Sequence, residues 1–394
     1  MPTGYEGQLN TQRGHDFDTF TVRDVDPRVH LLQAEIAPIY TTLANMKRGR
    51  KARSTKIEWI EDEMLPHGTR VNNVSGYTSA VLTFLVDNED FGNIGAFMLC
   101  PRTNEIMGPI VGKDPALHTL TVKKRGCFGT TPAALVDNDV LIFLRGNIKD
   151  GGNAAEPIVT LPTTKYNYIE PTSTVWNVSE FLEETETYGG VNKIQYLSAK
   201  KMKEHMEEIE KKVLFGRRGL DNTTDTGVRY SMGGLFYYIT DTVETITVGV
   251  GGTKGFSMKQ WNGFMRRLFA YNQSSAEKIV YASGEIIEQI DEFKLQSLDL
   301  DPDDFLIDLA AKSVRTSFGV VHFVHHRMLS EDFGREWTAL AIDPMKVELI
   351  PHIPQRVRRN IQTNKEHTRI DEIWESCSLE VQTQKVHGVF QVKE

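Results

Sequence analysis

Cysteine is scarce. Three residues, Cys100, Cys127 and Cys377, stand far apart in a chain of 394. None belongs to a CxxC pair, so neither a zinc ribbon nor a disulfide scaffold is supported, and a reducing, intracellular folding environment is expected. No apolar run approaches 18 residues, which excludes a membrane-spanning helix. Met1 to Asn10 is polar and lacks the apolar core of a signal peptide. Positive charge is not in excess: 45 Lys+Arg face 53 Asp+Glu, a net charge of −8. Such a surface is not, as a whole, that of a nucleic-acid binder, since those domains run basic. The 31 Gly and 15 Pro follow no period, which excludes collagenous or low-complexity chains. Hydrophobic residues at 40% supply enough apolar mass for a sizeable core, and the length suggests two or three domains.

Catalytic signatures are missing too. The GxSxG elbow is absent, and so is HExxH. Val248-Gly249-Val250-Gly251-Gly252-Thr253-Lys254-Gly255 fails as a phosphate loop, because no Gly directly precedes Lys254 and Gly255 follows it. A glycine hairpin or loop is expected there. Asp299 to Asp304 fails as a calcium loop, because the positions needing Gly and Glu hold Asp304 and Ala310. An acidic start to a helix at Phe305 accounts better for it. On a strand, His322 and His326 would share a face and His325 would point away. That offers at most two metal ligands, so structural histidines are expected. No metal, cofactor or catalytic residue is assigned, and the chain leans toward binding or structure.

Residues 1–45 are polar, with Gly4, Gly7, Gly14 and Pro27 as punctuation, and cannot bury enough surface to fold alone. They are either a disordered tail or an arm that orders on a neighbouring subunit. A basic run follows, Lys47, Arg48, Arg50, Lys51 and Arg53, and then the acids Glu58, Glu61, Asp62 and Glu63. Between them Lys56-Ile57-Glu58-Trp59-Ile60-Glu61 alternates as an exposed strand would. Opposite charges at its two ends suit either a complementary surface or a solvated face.

Residues 77–147 read as a compact β unit with strands at Ala80–Val86, Ala96–Cys100, Glu105–Met107, Thr119–Val122 and Val140–Leu144. Turn signals include Pro101, Gly112 and Gly126. Gly151-Gly152-Asn153-Ala154-Ala155 reads as a linker, and Thr172–Val178 as a strand. The strongest periodicity lies in 191–215. Ile194, Ser198, Met202, Met206, Ile209 and Val213 form one stripe flanked by Ala199 and Leu214, and Lys and Glu residues including Glu210 form the other face. The helix would be roughly 37 Å long, with Gly216 as its stop. Arg217 to Ser231 reads as a polar loop. Helices at Ser257–Tyr271 and Glu285–Leu295 then alternate with strands at Lys278–Ala282, Phe318–Val324 and Thr338–Ile342, which suggests an α/β domain. Cys377 to Val392 is strand-like.

The ordered set resembles the major capsid protein of tailed bacteriophages, with the Hong Kong 97-type fold. Five segments carry the resemblance: Lys56–Asp62; the helix ending Glu207–Gly216; Arg229-Tyr230-Ser231-Met232-Gly233-Gly234-Leu235; Tyr281-Ala282-Ser283 before a helix; and Leu379-Glu380-Val381 to Lys385–Val389. It implies an α+β fold, divided as follows: an N-terminal arm (1–45), an outgoing extended-loop strand (46–76), an inserted small β domain (77–150) and the returning strand (151–188). A peripheral domain with the long spine helix (189–231), an axial α/β domain (232–345) and peripheral closing strands (346–394) complete it.

The resemblance implies a non-enzymatic subunit that self-assembles into pentamers and hexamers around double-stranded DNA bound non-specifically. It would be made in the host bacterial cytoplasm and reside in the virion. A separate scaffold protein is expected because the N-terminus lacks a long cleaved extension; a portal and a decoration protein are further partners, and no membrane is involved. The contact candidates between subunits are Arg50, Lys51, Arg53, Trp59, Glu61, Asp62 and Glu63. An encapsulin-type compartment shell and an α/β enzyme with a dispersed site are the alternatives.

Overall fold

The computed structural model describes residues 37–46, 50–90, 92–147, 150–151, 158–185, 193–223, 227–249, 252–271, 276–297, 313–316, 318–363 and 366–393. The readings made above for 1–36, Lys47, Arg48, the linker residues 152–155, Val250, Gly251 and 299–310 lie outside them. The chain forms two units: Met1–Trp59 with Tyr166–Glu394, and Ile60–Lys165.

In chain order, helix α1 (Pro38–Asn45) comes first, then strand β1 (Lys56–Glu61). Strand β1 is not the wholly exposed ribbon expected. Its alternation puts Ile57 and Trp59 in the core and leaves Ile60 in solvent.

Among the described residues the smaller unit holds strands β2 (Gly68–Arg70), β3 (Thr83–Leu85), β4 (Phe97–Cys100), β5 (Glu105–Met107), β6 (Ile110–Asp114), β7 (Thr119–Val122) and β8 (Val140–Leu144). They make a four-stranded sheet, β2-β8-β4-β5, and a three-stranded one, β3-β7-β6. One core joins them, including Phe84, Met98, Met107, Ile110, Leu120 and Leu141. Three differences from the sequence reading appear. The strand expected over Ala80–Val86 shrinks to β3. Gly112 is no turn but lies inside β6, at a register shift after Ile110, where a glycine often marks a bulge. Strand β2 precedes the expected start at 77, because three residues carry no readable alternation.

The chain continues through β9 (Thr163–Tyr168), which pairs with β1, and β10 (Glu170–Ser179). Helix α2 (Glu180–Glu184) is capped by Ser179, whose hydroxyl accepts from the Leu182 amide at 3.3 Å. The long helix α3 (Lys193–Phe215) packs Ile209, Val213 and Leu214 into the main core as the stripe requires. Glu210, read as part of the polar face, is fully buried. Gly216 ends α3 by close approach: a Cβ there would stand 2.4 Å from the Lys212 and Met232 carbonyl oxygens. Gly234 meets it from the other side, its amide donating to the Gly216 carbonyl at 2.8 Å.

The expected loop at 217–231 contains two short paired strands, β11 (Gly219–Asp221) and β12 (Arg229–Ser231). Then come α4 (Leu235–Tyr238), β13 (Val243–Thr247) and α5 (Met258–Leu268), whose capping box pairs Ser257 with Gln260. Strand β14 (Glu277–Ala282), helix α6 (Gly284–Ser297) and strands β15 (Ser313–Arg315), β16 (Val320–His325) and β17 (Thr338–Ile342) follow. His326 does not share a strand face with His322, because it lies beyond the end of β16 and caps a 3-10 turn.

Two long strands, β18 (Val347–Arg358) and β19 (Thr368–Val381), build the sheet β10-β19-β18. Strand β18 escaped the sequence reading because Pro351 and Pro354 interrupt it. It tolerates them as an edge strand with register shifts at Pro351/Ile353 and Ile353/Arg356. The last strand, β20 (Gly388–Lys393), leaves that sheet. It lies between β13 and β17 in the six-stranded sheet β13-β20-β17-β14-β16-β15. Val389, Phe390 and Val392, apolar on both faces, are buried between those two neighbours.

Candidate functional site

Helix α1 has no cap of its own. Ala37, its N-cap, sits in the left-handed region at φ 51° and offers no side chain to the exposed amides. Glu210 of α3 supplies the cap from 170 residues away. Its two oxygens accept from the Ile39 amide at 2.9 Å and the Tyr40 amide at 2.7 Å. A carboxylate suits a helix N-terminus through the orphan N–H groups and the positive end of the dipole. His326 Nε2 lies 2.7 Å from the same carboxylate, and both side chains are buried.

Two further contacts fix α1. The Tyr40 hydroxyl donates to Glu375 at 3.1 Å, and the Tyr281 hydroxyl donates to Thr42 Oγ1 at 3.4 Å. Burial, then the neighbouring Glu375, push the Tyr40 phenol well above its ordinary pKa. Burial raises Tyr281 to about 12. His205 of α3 approaches Glu375 at 3.8 Å and meets Thr174 Oγ1 at 2.9 Å.

Between α1 and β18 lies a cavity of about 360 Å³. Leu43, Ala44, Met46, Leu349 and Pro354 give it apolar walls. Arg50 and Lys51 line it with positive charge, and Glu348 and the buried Glu375 line it with negative charge.

A second unusual place lies in the smaller unit. Ile60, Met64, Val159 and Leu161 are 73%, 94%, 78% and 83% exposed. The two stretches carrying them are tied together. Thr160 Oγ1 donates to the Glu63 carbonyl at 2.7 Å and to Asp62 Oδ1 at 3.2 Å, and Thr163 Oγ1 to the Glu61 carbonyl at 3.3 Å. Four large aliphatic side chains therefore stand in solvent among Glu61, Asp62 and Glu63.

The seven predicted contact residues separate on this structure. Arg50 forms an ion pair with the buried Glu380 and donates to the Glu58 carbonyl at 3.2 Å. Trp59 is buried, its ring 5.7 Å from that of Tyr238. Lys51 and Arg53 are exposed on either side of Ala52, which is buried and donates its amide to the Pro351 carbonyl at 3.1 Å. Asp62 and Glu63 are exposed and Glu61 half-buried beside the aliphatic cluster. Sequence reasoning found the charges but missed Glu210, the cavity and the cluster. Only the exposed Ile60 and Met64, close to three acids, left any trace in the sequence.

The remaining buried ionisable groups have structural partners. Arg125 holds Glu105 through a two-pronged contact at 2.7 and 2.6 Å. Burial alone would raise the Glu105 carboxyl, but Arg125 and the Ala133 and Gly126 amides bring it below its usual value. Lys278 Nζ donates to the Val386 carbonyl at 2.6 Å and lies 3.9 Å from Asp343. His387 Nδ1 accepts from the Asp343 amide at 3.1 Å. Burial drives Lys278 down to about 8 and His387 down to about 4, the second shift reinforced by the Lys278 charge. Neither lines the cavity beside α1. His322 lies 3.9 Å from Glu277. Among the described residues no group of three His, Cys, Asp or Glu side chains could hold a metal.

A family model described as SU10 major capsid protein matches residues 4–393. No curated protein matches. Among solved structures, the chain is similar to the capsid of a native GTA particle computed with C5 symmetry. There the TM-score is 0.51 and the identity 7%, over 98% of this chain and 100% of that one, a likeness of fold. A structure from Mycobacterium phage Bobi gives a TM-score of 0.47 at 7% identity, over 98% and 100% of the two chains. The holo-SrpI encapsulin complex from Synechococcus elongatus gives 0.38 at 11%, over 59% of this chain and 77% of that one, too slight to bear on function.

Proposed function

The chain belongs to the SU10 major capsid protein family, and we propose that it is the repeating subunit of a phage head, self-assembling into pentamers and hexamers of an icosahedral shell around double-stranded DNA. The family match over residues 4–393 carries this reading. A structural rather than enzymatic role is what that family implies. Among the described residues no helix is long and apolar enough to cross a membrane.

In this reading residues 1–45 act as the arm, β1 and β9 as the two strands of the extended loop, and the strands after β1 as the inserted β domain. Helix α3 is the spine, and residues 232–345 supply the axial domain. A shell subunit must recognise copies of itself without aggregating, so charge should direct encounter before apolar surface is buried. Lys51, Arg53, Glu61, Asp62 and Glu63 are the contact residues this favours; Arg50 and Trp59 serve mainly the chain's own fold. Contact with packed DNA is non-specific and tolerates a net charge of −8. A scaffold protein, a portal and a decoration protein complete the expected partners.

Electron microscopy of the purified full-length protein, alone and co-expressed with its scaffold, tests the reading. Closed shells, or rings of five and six subunits, are expected. A monomer or dimer under both conditions would overturn it.

A further inference from the structure

The sheet β10-β19-β18 has two unlike faces. On one, Trp176, Val178 and Ile373 pack with Leu197 and Met202 of α3. On the other, Ser173, Trp374 and Arg356 stand in one row, and Val175, Glu372 and Arg358 in the next. Alternation along β10 leaves Ser173, Val175 and Asn177 of this second face in solvent. Arg356 and Arg358 are two residues apart on β18 and so share the face. Both guanidinium groups stand over the Trp374 ring, 4.6 and 4.4 Å from its centroid. The face of an indole attracts a cation and stacks with the guanidinium plane. Arg359 follows directly after β18 and is exposed.

Charge on this face does not balance. Glu372 is the acid beside the pair; it lies 3.4 Å from Arg358 and accepts from Ser173 Oγ at 2.6 Å. Among the described residues Arg356 and Arg359 meet no carboxylate. The next acids, on α2 past the end of β10, are engaged in part: Glu180 lies 3.1 Å from His367 and Glu183 3.5 Å from Arg369, while Glu184 follows them on the helix. Asp371 and Glu375 alternate onto the α3 side of β19. Glu380 shares the open side but lies six positions along the strand, paired with Arg50. Three guanidinium groups less one carboxylate leave an excess of two positive charges beside Trp374, in a chain whose net charge is −8.

We propose that Arg356, Arg358 and Arg359, with Trp374 as their platform, bind the phosphate backbone of the DNA packed in the head. The inference rests on the capsid reading and gives its non-specific DNA contact a place. A guanidinium fork matches two phosphate oxygens with parallel N–H donors. Two residues along a strand separate the forks of Arg356 and Arg358 by roughly 7 Å, so each can take its own phosphate. Trp374 holds both planes in position before the anion arrives, which lowers the cost of ordering them on binding. Ser173 and Asn177 keep the surroundings polar and low, which suits a charged backbone better than an apolar protein partner. Phosphate contacts of this kind carry no sequence information.

Phenylglyoxal modification of arginine, read by mass spectrometry on the full-length chain, tests this. Arg356, Arg358 and Arg359 are expected to react in the unassembled chain and in empty particles, and to lose that reactivity in DNA-filled particles. Opening the filled particles and digesting the DNA should restore it. In solution, the unassembled chain should bind a mixed-sequence DNA duplex, and Arg356→Gln and Arg358→Gln should each reduce the salt slope of that binding by about 1. Trp374→Leu should weaken binding with every charge retained, and Trp374→Phe should restore it, while circular dichroism shows an unchanged fold for all four.

Equal protection in empty and filled particles would mean that protein covers this face, a second copy or the scaffold, and would overturn the DNA site while leaving the capsid reading intact. Equal reactivity in every sample would overturn it too, as would a salt slope unchanged in both Arg variants. Failure of the unsubstituted chain to assemble, with its scaffold present, would instead overturn the capsid reading and the site with it.

Discussion

Glu210 and His326 meet at 2.7 Å with both side chains buried, and the same carboxylate caps helix α1 through the Ile39 and Tyr40 amides. Three segments far apart in sequence therefore converge on one side chain: the start of α1, the last turns of α3 and the end of β16. The carboxylate is stabilised by donors on both sides, and each donor would lose its partner if it left.

Replacing Glu210 by Ala should cost at least about 1–3 kcal/mol, the penalty for leaving buried donors without an acceptor. Glu210→Gln should cost less, because the amide oxygen can still accept from one backbone N–H. Urea unfolding of the full chain reads the first effect, and hydrogen exchange at Ile39 and Tyr40 reads the local one. A loss under about 1 kcal/mol for Glu210→Ala, the range of an ordinary surface substitution, would remove the cap from this account.

In the smaller unit Arg125→Met would leave the buried Glu105 carboxylate without its guanidinium. A loss of about 3–5 kcal/mol is expected. Arg125→Lys should recover only part of it, since an ammonium cannot match the two-pronged geometry. None of the five Trp lies within 60–165, so circular dichroism rather than Trp fluorescence should follow the transition. Equal stability of Arg125→Lys and the unsubstituted chain would argue against a role for bidentate pairing.

Acid should destabilise the larger unit through His387. Its folded pKa of about 4 lies below the ordinary 6.5, so the unfolded chain takes up the proton first. Stability contributed by the neutral ring is complete above pH 6.5 and is lost as pH falls towards 4, by an amount on the order of 3 kcal/mol. Lys278, at about 8 against 10.5, acts with the same sign in a higher window. The unfolded chain binds more protons between those values, so stability rises as pH climbs from 8 to 10.5. Denaturation midpoints across the lower window, compared with those of His387→Gln, check the first claim. A substituted chain with the same acid slope would refute it.

Gly234→Ala should destabilise although the backbone angle there suits any residue. A Cβ would lie 2.7 Å from the Val213 carbonyl oxygen and 2.8 Å from that of Leu214. Backbone cannot give as a side-chain end can, so a cost of about 1–3 kcal/mol or poor soluble yield follows. Gly263→Ala, at a helical position with open space around its would-be Cβ, is the control and should be neutral or better.

Reversing Lys51 and Arg53 to Glu should weaken assembly more at low salt than at high salt, since exposed charges are screened beyond roughly 10 Å at 0.1 M. Arg50→Glu belongs to a different class. It would place a carboxylate against the buried Glu380 and should damage the fold at any salt. Light scattering during assembly, beside unfolding of each variant, separates the two. Equal assembly of the double reversal at both salts would speak against electrostatic steering.

What could be read in the sequence was what repeats locally. The stripe Ile209–Val213 of α3, the Ser257–Gln260 capping box and the β-branched run of β10 each announce themselves within a few residues. Gly216 was recognisable as a helix stop and Met232-Gly233-Gly234 as part of a family-like segment, though not as mutual contacts. Strand β18 was hidden by its prolines, and β2 by its shortness.

The sequence by itself determined helices α3, α5 and α6 and most strands, the absence of a transmembrane run and the position of the charged segments. Tertiary structure alone decided which charges are free for partners. Arg50 and Lys51 are sequence neighbours, yet Arg50 meets a buried Glu380 some 330 positions away while Lys51 is exposed. Glu210 looks like Glu207 and Glu208 until α1 and His326 arrive. The reason is range. Hydrophobic periodicity is written into neighbouring residues, but a buried charge is stabilised only by donors within about 3 Å in space, and those come from wherever the fold brings them.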